Sequence, residues 1–454
     1  MEEEKKQEEN KDNKKKHWKL KVGIVLSLSM VVILLTAIYL TFLITHKDTN
    51  RNKITISENS NTELIQKNLI EGFKDIKDSG RYSFRLPDDD INKILLNSSS
   101  DLLSSKDESC YIDSSTSTFY VDLKPTLGVS TRVCYAFKEY AVTNTNEHIF
   151  KCEATPTMGK LPYVFGHRIT FESFFEEVSK RSGLPIRFED AMLTVSPIKL
   201  FEYFPNDNIK SFVNGLISSK PECISIDPNS LFGFDINLSL FSGASIPSKE
   251  VSELLPDLHS RVTNSLNTEF LDSIGTDESK EACFISVLDI NKVISSKFVS
   301  KVIENASFDF VDVSVKLTVD DLYISLTDTG HLSIVMPVSI NGYKMYFLLS
   351  SDIITFSNDM MVKFQISGNT TLKDVTFTKD SYIGNMIISS LRNVFEDVSS
   401  EYSYIKYVSS DSMLSIDFTD IQKSITELRF FYKSTIVPVI SSESGFSVVV
   451  TSLA

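Results

Sequence analysis

Hydrophobic and polar positions divide the chain into three stretches. From Glu2 to Lys21 almost every residue is charged or carries an amide. Such a segment buries nothing, and its composition predicts disorder. Val22 to Thr45 then runs for 24 residues without a charge, enough to cross hydrocarbon, which takes about 20 apolar residues. A cleaved signal peptide has an apolar core of only about 7–15 residues and a small-residue cleavage site. No Ala-x-Ala pattern follows this run, so an uncleaved transmembrane helix is expected. Beyond it, stretches of period two mix with stretches of period near 3.6, the pattern of a folded α+β chain.

The helical stretches come first in each half. Leu64, Ile65, Leu69, Ile70 and Phe73 share one face of a helix predicted over Asn61–Lys77. Ser248–Ile274 opens the second half in the same way. Alternation predicts strands over Thr118–Leu123, Gly128–Val142 and Ile149–Thr155, and again over Val311–Leu317, Leu322–Leu326, His331–Ile340, Tyr343–Leu349 and Met361–Ile366. Turn signals separate them at Thr143-Asn144, Asp328-Thr329-Gly330 and Asn341-Gly342, and Asn-Gly is the strongest short hairpin signal. Each run of strands leads to a crossing helix. The first carries Phe171, Phe174, Phe175 and Val178 and ends at Gly183 and Pro185. The second carries Ile383, Ile387, Ile388, Leu391, Val394, Phe395 and Val398. A short helix with Ile209, Phe212, Val213 and Leu216 follows the first.

The halves also match in sequence. Asp90-Ile91-Asn92-Lys93-Ile94 returns as Asp289-Ile290-Asn291-Lys292-Val293. Phe175-Glu176-Glu177-Val178-Ser179 returns as Phe395-Glu396-Asp397-Val398-Ser399, and Met192-Leu193-Thr194-Val195 as Met413-Leu414-Ser415-Ile416. Three anchors in one order point to a tandem duplication. The expected fold is therefore α+β: two tandem related units, each an antiparallel curved sheet packed on a long helix, preceded by a single transmembrane helix. The expected boundaries are a disordered tail at 1–21, the span at 22–45, a juxtamembrane segment and helix at 46–80, and units at 81–245 and 246–454. Asp90 and Asp289 are expected as helix N-caps.

Charge sets the topology. Lys11, Lys14, Lys15, Lys16, Lys19 and Lys21 precede the span, whereas only Lys47, Arg51 and Lys53 follow closely. Positive flanks stay inside, so the tail is expected in the cytoplasm and the bulk of the chain outside. The chain carries −14 overall, which argues against a nucleic-acid partner. None of the five cysteines forms a Cys-x-x-Cys pair. Cys134 and Cys152 flank a turn where a disulfide is one reading and buried free thiols the other. Nucleophile-elbow, His-Glu-x-x-His, Walker and dinucleotide signatures are all missing, and the six histidines are scattered. No catalytic residue, cofactor or metal site is expected, and the protein reads as a non-enzyme.

Several residues carry a family resemblance. A tail and an uncleaved span lead to a helix start at Leu86 to Lys93, a meander, Met158-Gly159-Lys160-Leu161-Pro162 before the crossing helix, and Leu184-Pro185 before the last strands. Over residues 18–220 this resembles the YpmS-like single-pass envelope proteins of Gram-positive bacteria. The second copy departs from the pattern, with Thr371-Leu372-Lys373-Asp374 near the Gly-Lys-Leu-Pro position. The resemblance implies a membrane-tethered extracytoplasmic module and brings no catalytic residues. A looser likeness, at the level of fold, is to tubular lipid-binding proteins.

The functional expectation is a membrane-anchored module that binds an apolar ligand, such as a lipid or a lipid-linked envelope precursor. Phe171, Phe174, Phe175, Val178, Ile387, Leu391 and Phe395 are the candidate groove residues. The alternative is a scaffold or regulator that binds envelope proteins through strand edges or an acidic face.

Overall fold

The computed structural model describes residues 2–44, 60–99, 109–113, 118–123, 131–143, 146–154, 171–190, 192–227, 230–243, 245–274, 282–310, 313–326, 331–357, 361–417, 435–441 and 445–452. Helix α1 spans Glu2–Ile44. Within it, His17–Ala37 is the one stretch among the described residues long and apolar enough to cross a membrane. Ile24, Leu26, Met30 and Leu34 are exposed along it, as suits a helix whose neighbour is lipid rather than protein. The helix also runs back through the charged segment for which composition predicts disorder. Lys and Glu are good helix formers, and extending an existing helix avoids the cost of a new nucleus.

The chain divides into two compact units. One comprises Met1–Leu64, Leu86–Pro197 and Asn229–Leu231, the other Ile65–Arg85, Ile198–Pro228 and Phe232–Ala454. After α1 come α2 (Asn61–Glu71), α3 (Ile76–Ser79) and β1 (Arg81–Arg85). The helix expected to run on to Lys77 is interrupted at Gly72. A Cβ there would lie 2.7 Å from the Tyr82 ring and 2.8 Å from the Ser83 carbonyl, so the break lets β1 approach.

The first unit holds α4 (Asp88–Ser99), the meander β2 (Ser109–Asp113), β3 (Thr118–Leu123), β4 (Thr131–Val142) and β5 (His148–Ala154), then α5 (Phe171–Ser182) and the hairpin β6 (Ile186–Glu189) and β7 (Met192–Val195). Its sheet order is β2-β3-β4-β5-β7-β6, antiparallel throughout. The register sets Cys152 opposite Phe137 and Cys134 opposite Tyr120. Cys134 and Cys152 are thus three residues apart along β4, on the order of 10 Å, beyond the reach of a disulfide. Cys110 and Cys223 are buried and form no disulfide. The Met158–Pro162 segment and the Asp328-Thr329-Gly330 turn lie outside the described residues.

The other unit continues with α6 (Asp207–Ser219), β8 (Ile224–Ile226) and β9 (Gly233–Asn237), then α7 (Leu258–Ser265), α8 (Thr268–Ser273), β10 (Ala282–Ser286) and α9 (Val287–Lys297). The single helix expected over Ser248–Ile274 is replaced by α7 and α8. Pro256 blocks an early start, and Asn267 starts a new helix by accepting from the Phe270 N–H at 2.9 Å. Next come β11 (Lys301–Phe310), β12 (Val313–Val319), β13 (Tyr323–Leu326), β14 (Leu332–Ile340), β15 (Tyr343–Ser357), β16 (Met361–Ile366), β17 (Asn369–Leu372) and β18 (Val375–Thr378). The chain closes with α10 (Tyr382–Glu401), β19 (Ile405–Val408), β20 (Met413–Asp417), β21 (Thr435–Ser441) and β22 (Gly445–Ser452). The large sheet runs β11-β12-β14-β15-β16-β20-β19, with β13, β17 and β18 paired off this path. Asn341 and Gly342, at φ 49° and 83°, form the predicted β14–β15 turn.

Both meander sheets end alike. Leu193 of β7 stands opposite Phe150 of β5 and Phe188 of β6. Leu414 of β20 stands opposite Phe364 of β16 and Tyr407 of β19. Two three-stranded sheets also correspond: β1 pairs with the hairpin β8–β9, and β10 with the hairpin β21–β22. The Asp-Ile-Asn-Lys segments perform one task twice, and the Asn does it. Asn92 Nδ2 donates to the Ile112 carbonyl at 2.9 Å and its Oδ1 accepts from the Ile112 N–H at 2.7 Å. Asn291 does the same to Ile324 of β13, at 2.9 and 2.8 Å. Neither Asp is the N-cap expected from sequence. Asp90 is the third residue of α4, and Asp289 is the third of α9, where Ser286 is the cap. From the third position Asp289 accepts from the Ser286 N–H at 2.9 Å, completing a capping box.

The core of this unit is aromatic. Phe73, Tyr82, Phe201 and Phe204 are buried, with ring centroids 4.5 to 5.7 Å apart. The void there is only about 10 Å³, lined among others by Phe73, Tyr82, Phe212 and Ile340.

Candidate functional site

An open cleft of about 740 Å³ lies in the unit that ends with β22. It is lined by the N-terminal turns of α10, by Lys301, Val302, Ile303 and Asn305 of β11, by Val319 of β12, and by Asn208 of α6. Ordinary ligand sites measure roughly 300–1,000 Å³.

Each wall has a local cause. Helix α10 starts where Ser381 caps it: the Ser381 Oγ accepts from the Gly384 N–H at 3.1 Å. The Ser381 N–H donates to the Thr378 carbonyl at 3.0 Å, tying the helix start to β18. Gly384 permits this approach, because a Cβ would lie 2.0 Å from the Thr378 oxygen. The helix then divides by face. Ile383, Ile387, Leu391 and Phe395 point into the core. Asn385, Ser389 and Asn393, one turn apart, are exposed and line the cleft, with buried Met386 and Val394 beneath them.

Opposite stands β11, the edge strand of the large sheet among the described residues. Lys301 and Val302 are exposed. The pairing with β12 shifts between Val302 and Ser307, where Asn305 takes φ 56°. Helix α6 packs against both β11 and α10. Asn206 begins it, accepting from the N–H groups of Asn208 and Ile209 at 3.1 and 3.0 Å. The Asn206 amide also donates to the carbonyls of Asn305 and Ser307, at 2.5 and 3.4 Å. Gly215 lets α6 approach α10, since a Cβ there would meet Ile383 Cδ1 at 2.9 Å.

The lining has a chemical character of its own. Among the described side chains Lys301 and Asp380 are its charged members, one of each sign. The other polar groups are amides and hydroxyls, and apolar contact comes from Phe298, Val302, Ile303, Val319, Met386 and Val394. Burial holds the Tyr382 phenol above its ordinary value, so at neutral pH it is protonated. Such a surface can hydrogen-bond and enclose a neutral ligand, and it presents no paired nucleophile and base. Among the described residues no group of three or more His, Cys, Asp or Glu is placed to hold a metal ion.

The candidate groove residues lie elsewhere. Ile387, Leu391 and Phe395 are fully buried, Phe395 with its ring 5.9 Å from that of Tyr407, and none of the three lines the cleft. Val178 is buried in the first unit. Phe171, Phe174 and Phe175 fall on α5, but their side chains lie outside the described residues. The cleft residues Asn385, Ser389 and Asn393 were legible only as the polar face of an amphipathic helix, a face that is ordinarily just solvated. Strand β11 had a signal in the alternation of Val302, Ala306, Phe308 and Phe310.

No family model and no curated protein matches the sequence. Among solved structures, P47 from Clostridium botulinum A2 aligns over 80% of this chain and 88% of its own length, at 9% identity and a TM-score of 0.16, a likeness from which nothing about fold or function follows.

Proposed function

We propose that this chain is a membrane-anchored, extracytoplasmic and non-enzymatic binding module made of two tandemly duplicated α+β units, with its N-terminus inside the cell. The lysine-rich flank before the span supports that orientation. The shared strand order, the paired Leu–Phe registers and the two Asn clamps support the duplication.

The cleft between α10 and β11 is the observation that carries a function. It has the size of a ligand site, and amides and hydroxyls dominate its lining. The neighbouring aromatic core leaves a void no larger than about one water needs, so that core offers no chamber for an acyl chain. An open polar cleft beside an edge strand favours an envelope protein as the partner. The apolar strip of Phe298, Val302, Ile303 and Met386 favours a second reading, in which a lipid or lipid-linked precursor lies along it.

The test places a photo-crosslinking residue at Ser389 of the full chain in its native membrane. Glu396, exposed on the same helix and outside the cleft, is the control site. A protein adduct at Ser389 and not at Glu396 is the expected result. A lipid adduct alone would replace the first reading with the second. Equal labelling at the two sites would remove the cleft as a binding site.

A further inference from the structure

We infer that the ligand of this cleft is an extended, uncharged polypeptide segment of about five residues that adds as a strand to the outer edge of β11, an inference that rests on the cleft reading above and specifies its ligand. Strand β11 terminates the large sheet and pairs on one side with β12. Such an edge offers backbone N–H and C=O groups to any incoming strand. The chain already shows the outer side accepting hydrogen bonds, because the Asn206 amide donates to Asn305 and Ser307 there. That side chain occupies the downstream half of the edge and leaves Lys301 to Ile303 facing the cleft.

The opposite wall has a matching spacing. Asn385, Ser389 and Asn393 recur every four residues, which on a helix is about 6 Å. Alternate residues of a strand recur every 6.4–6.8 Å or so. The row can therefore meet every second backbone group on the far side of an extended peptide. Asn385 and Asn393 each supply an amide that both donates and accepts, as a peptide group requires. The apolar strip below takes the alternate side chains.

Size and charge agree with this occupant. The cleft of about 740 Å³ lies within the usual range of a ligand site, and three contacts at alternate positions span five residues of a strand. Among the described side chains of the lining Lys301 and Asp380 balance each other, while the chain as a whole carries −14, so anionic lipid headgroups and nucleic acid are repelled and a neutral segment is not.

The opposing interpretation is that the irregularity near Asn305 protects the edge from pairing, a common use of bulges. The experiment selects a random heptapeptide phage library on the full chain in lipid nanodiscs, with empty nanodiscs as the reference. The strongest peptide is then synthesised with an N-methyl group at each position in turn. Strand addition predicts about a tenfold loss of affinity at alternate positions and less than about twofold at those between, tenfold corresponding to 1.4 kcal/mol. It also predicts about a tenfold loss for Asn393→Ala and loss of binding for Ser389→Trp, both at exposed positions where folding should persist. Binding that Ser389→Trp abolishes but N-methylation does not modulate in alternation would overturn strand addition and leave the cleft reading standing. No enrichment over empty nanodiscs overturns the inference. If native mass spectrometry then finds a retained lipid that Ser389→Trp releases, the second reading of the cleft holds instead.

Discussion

The two Asp-Ile-Asn-Lys segments share a sequence and differ in what surrounds their aspartates. Asp90 pairs with Lys93, one turn along α4, at 2.9 Å. Asp289 is fully buried and accepts from Ser252 at 2.7 Å, from Ser286, and from Arg261 at 2.5 Å. It thereby ties α7 and the segment before it to the start of α9. The asparagines two residues on behave alike, each gripping one strand residue through both its N–H and its carbonyl. Where the short segment recurs, the helix-to-strand clamp recurs with it. The surroundings of the aspartate two residues before each clamp differ.

Four predictions bear on this contrast. Cys110 and Cys223 supply a readout, since each is a buried thiol and they belong to different units. Burial pushes the Cys223 thiol up to about 11, so in the folded chain it reacts slowly with iodoacetamide at pH 8. Alkylation mapped by residue therefore reports the opening of each unit separately. The largest effect belongs to Asp289→Ala, expected to destabilise its unit by about 3–5 kcal/mol, because it removes a fully buried carboxylate that closes the capping box and accepts from Ser252, Ser286 and Arg261. Cys223 should label much faster in that variant while Cys110 does not. Equal acceleration at both thiols would show that the two units open together.

Asn291→Ala and Asn92→Ala come next, at about 2–4 kcal/mol each, because each strands a buried backbone donor and acceptor. The first should expose Cys223 and the second Cys110. Asn291 also donates to the Glu250 carbonyl at 2.9 Å, so its loss should be the greater of the two. The reverse order would mean that the clamps are not equivalent. Asp90→Ala should cost less than Asp289→Ala, since part of the Asp90 side chain reaches solvent beside Lys93 whereas Asp289 is fully buried. A loss as large as that of Asp289→Ala would remove the distinction between the two segments.

The smallest effect concerns pH. Lys220 hydrogen-bonds Asp374 at 2.9 Å and holds its carboxyl below the ordinary carboxylate value. A group depressed in the folded state stabilises above its unfolded pKa, and that contribution disappears as pH falls through the lower, folded value. Acid unfolding monitored by circular dichroism should therefore begin at slightly higher pH in Lys220→Met. Coincident curves would show that this pair contributes nothing.

Much of this protein was legible in one dimension because the relevant forces are local or periodic. The apolar run that begins at Val22 and becomes the later part of α1 needs only length and absence of charge. Strands β3 and β16 follow from alternation, and the β14–β15 hairpin from Asn341-Gly342, whose positive φ values few other pairs adopt. The fully buried face of α10 follows from its 3.6-residue period. Tertiary structure decided the rest. Whether Asn92 or Asp90 carries the repeated contact depends on which strand lies beside the helix. Cys134 and Cys152 are kept apart by a register set by the whole β4–β5 ladder. The cleft is formed by a polar helix face, an edge strand and the start of a second helix that are distant in sequence. Each alone looks like solvated surface, and only packing against a common sheet brings them to face one another, because burial and hydrogen bonding are properties of neighbours in space.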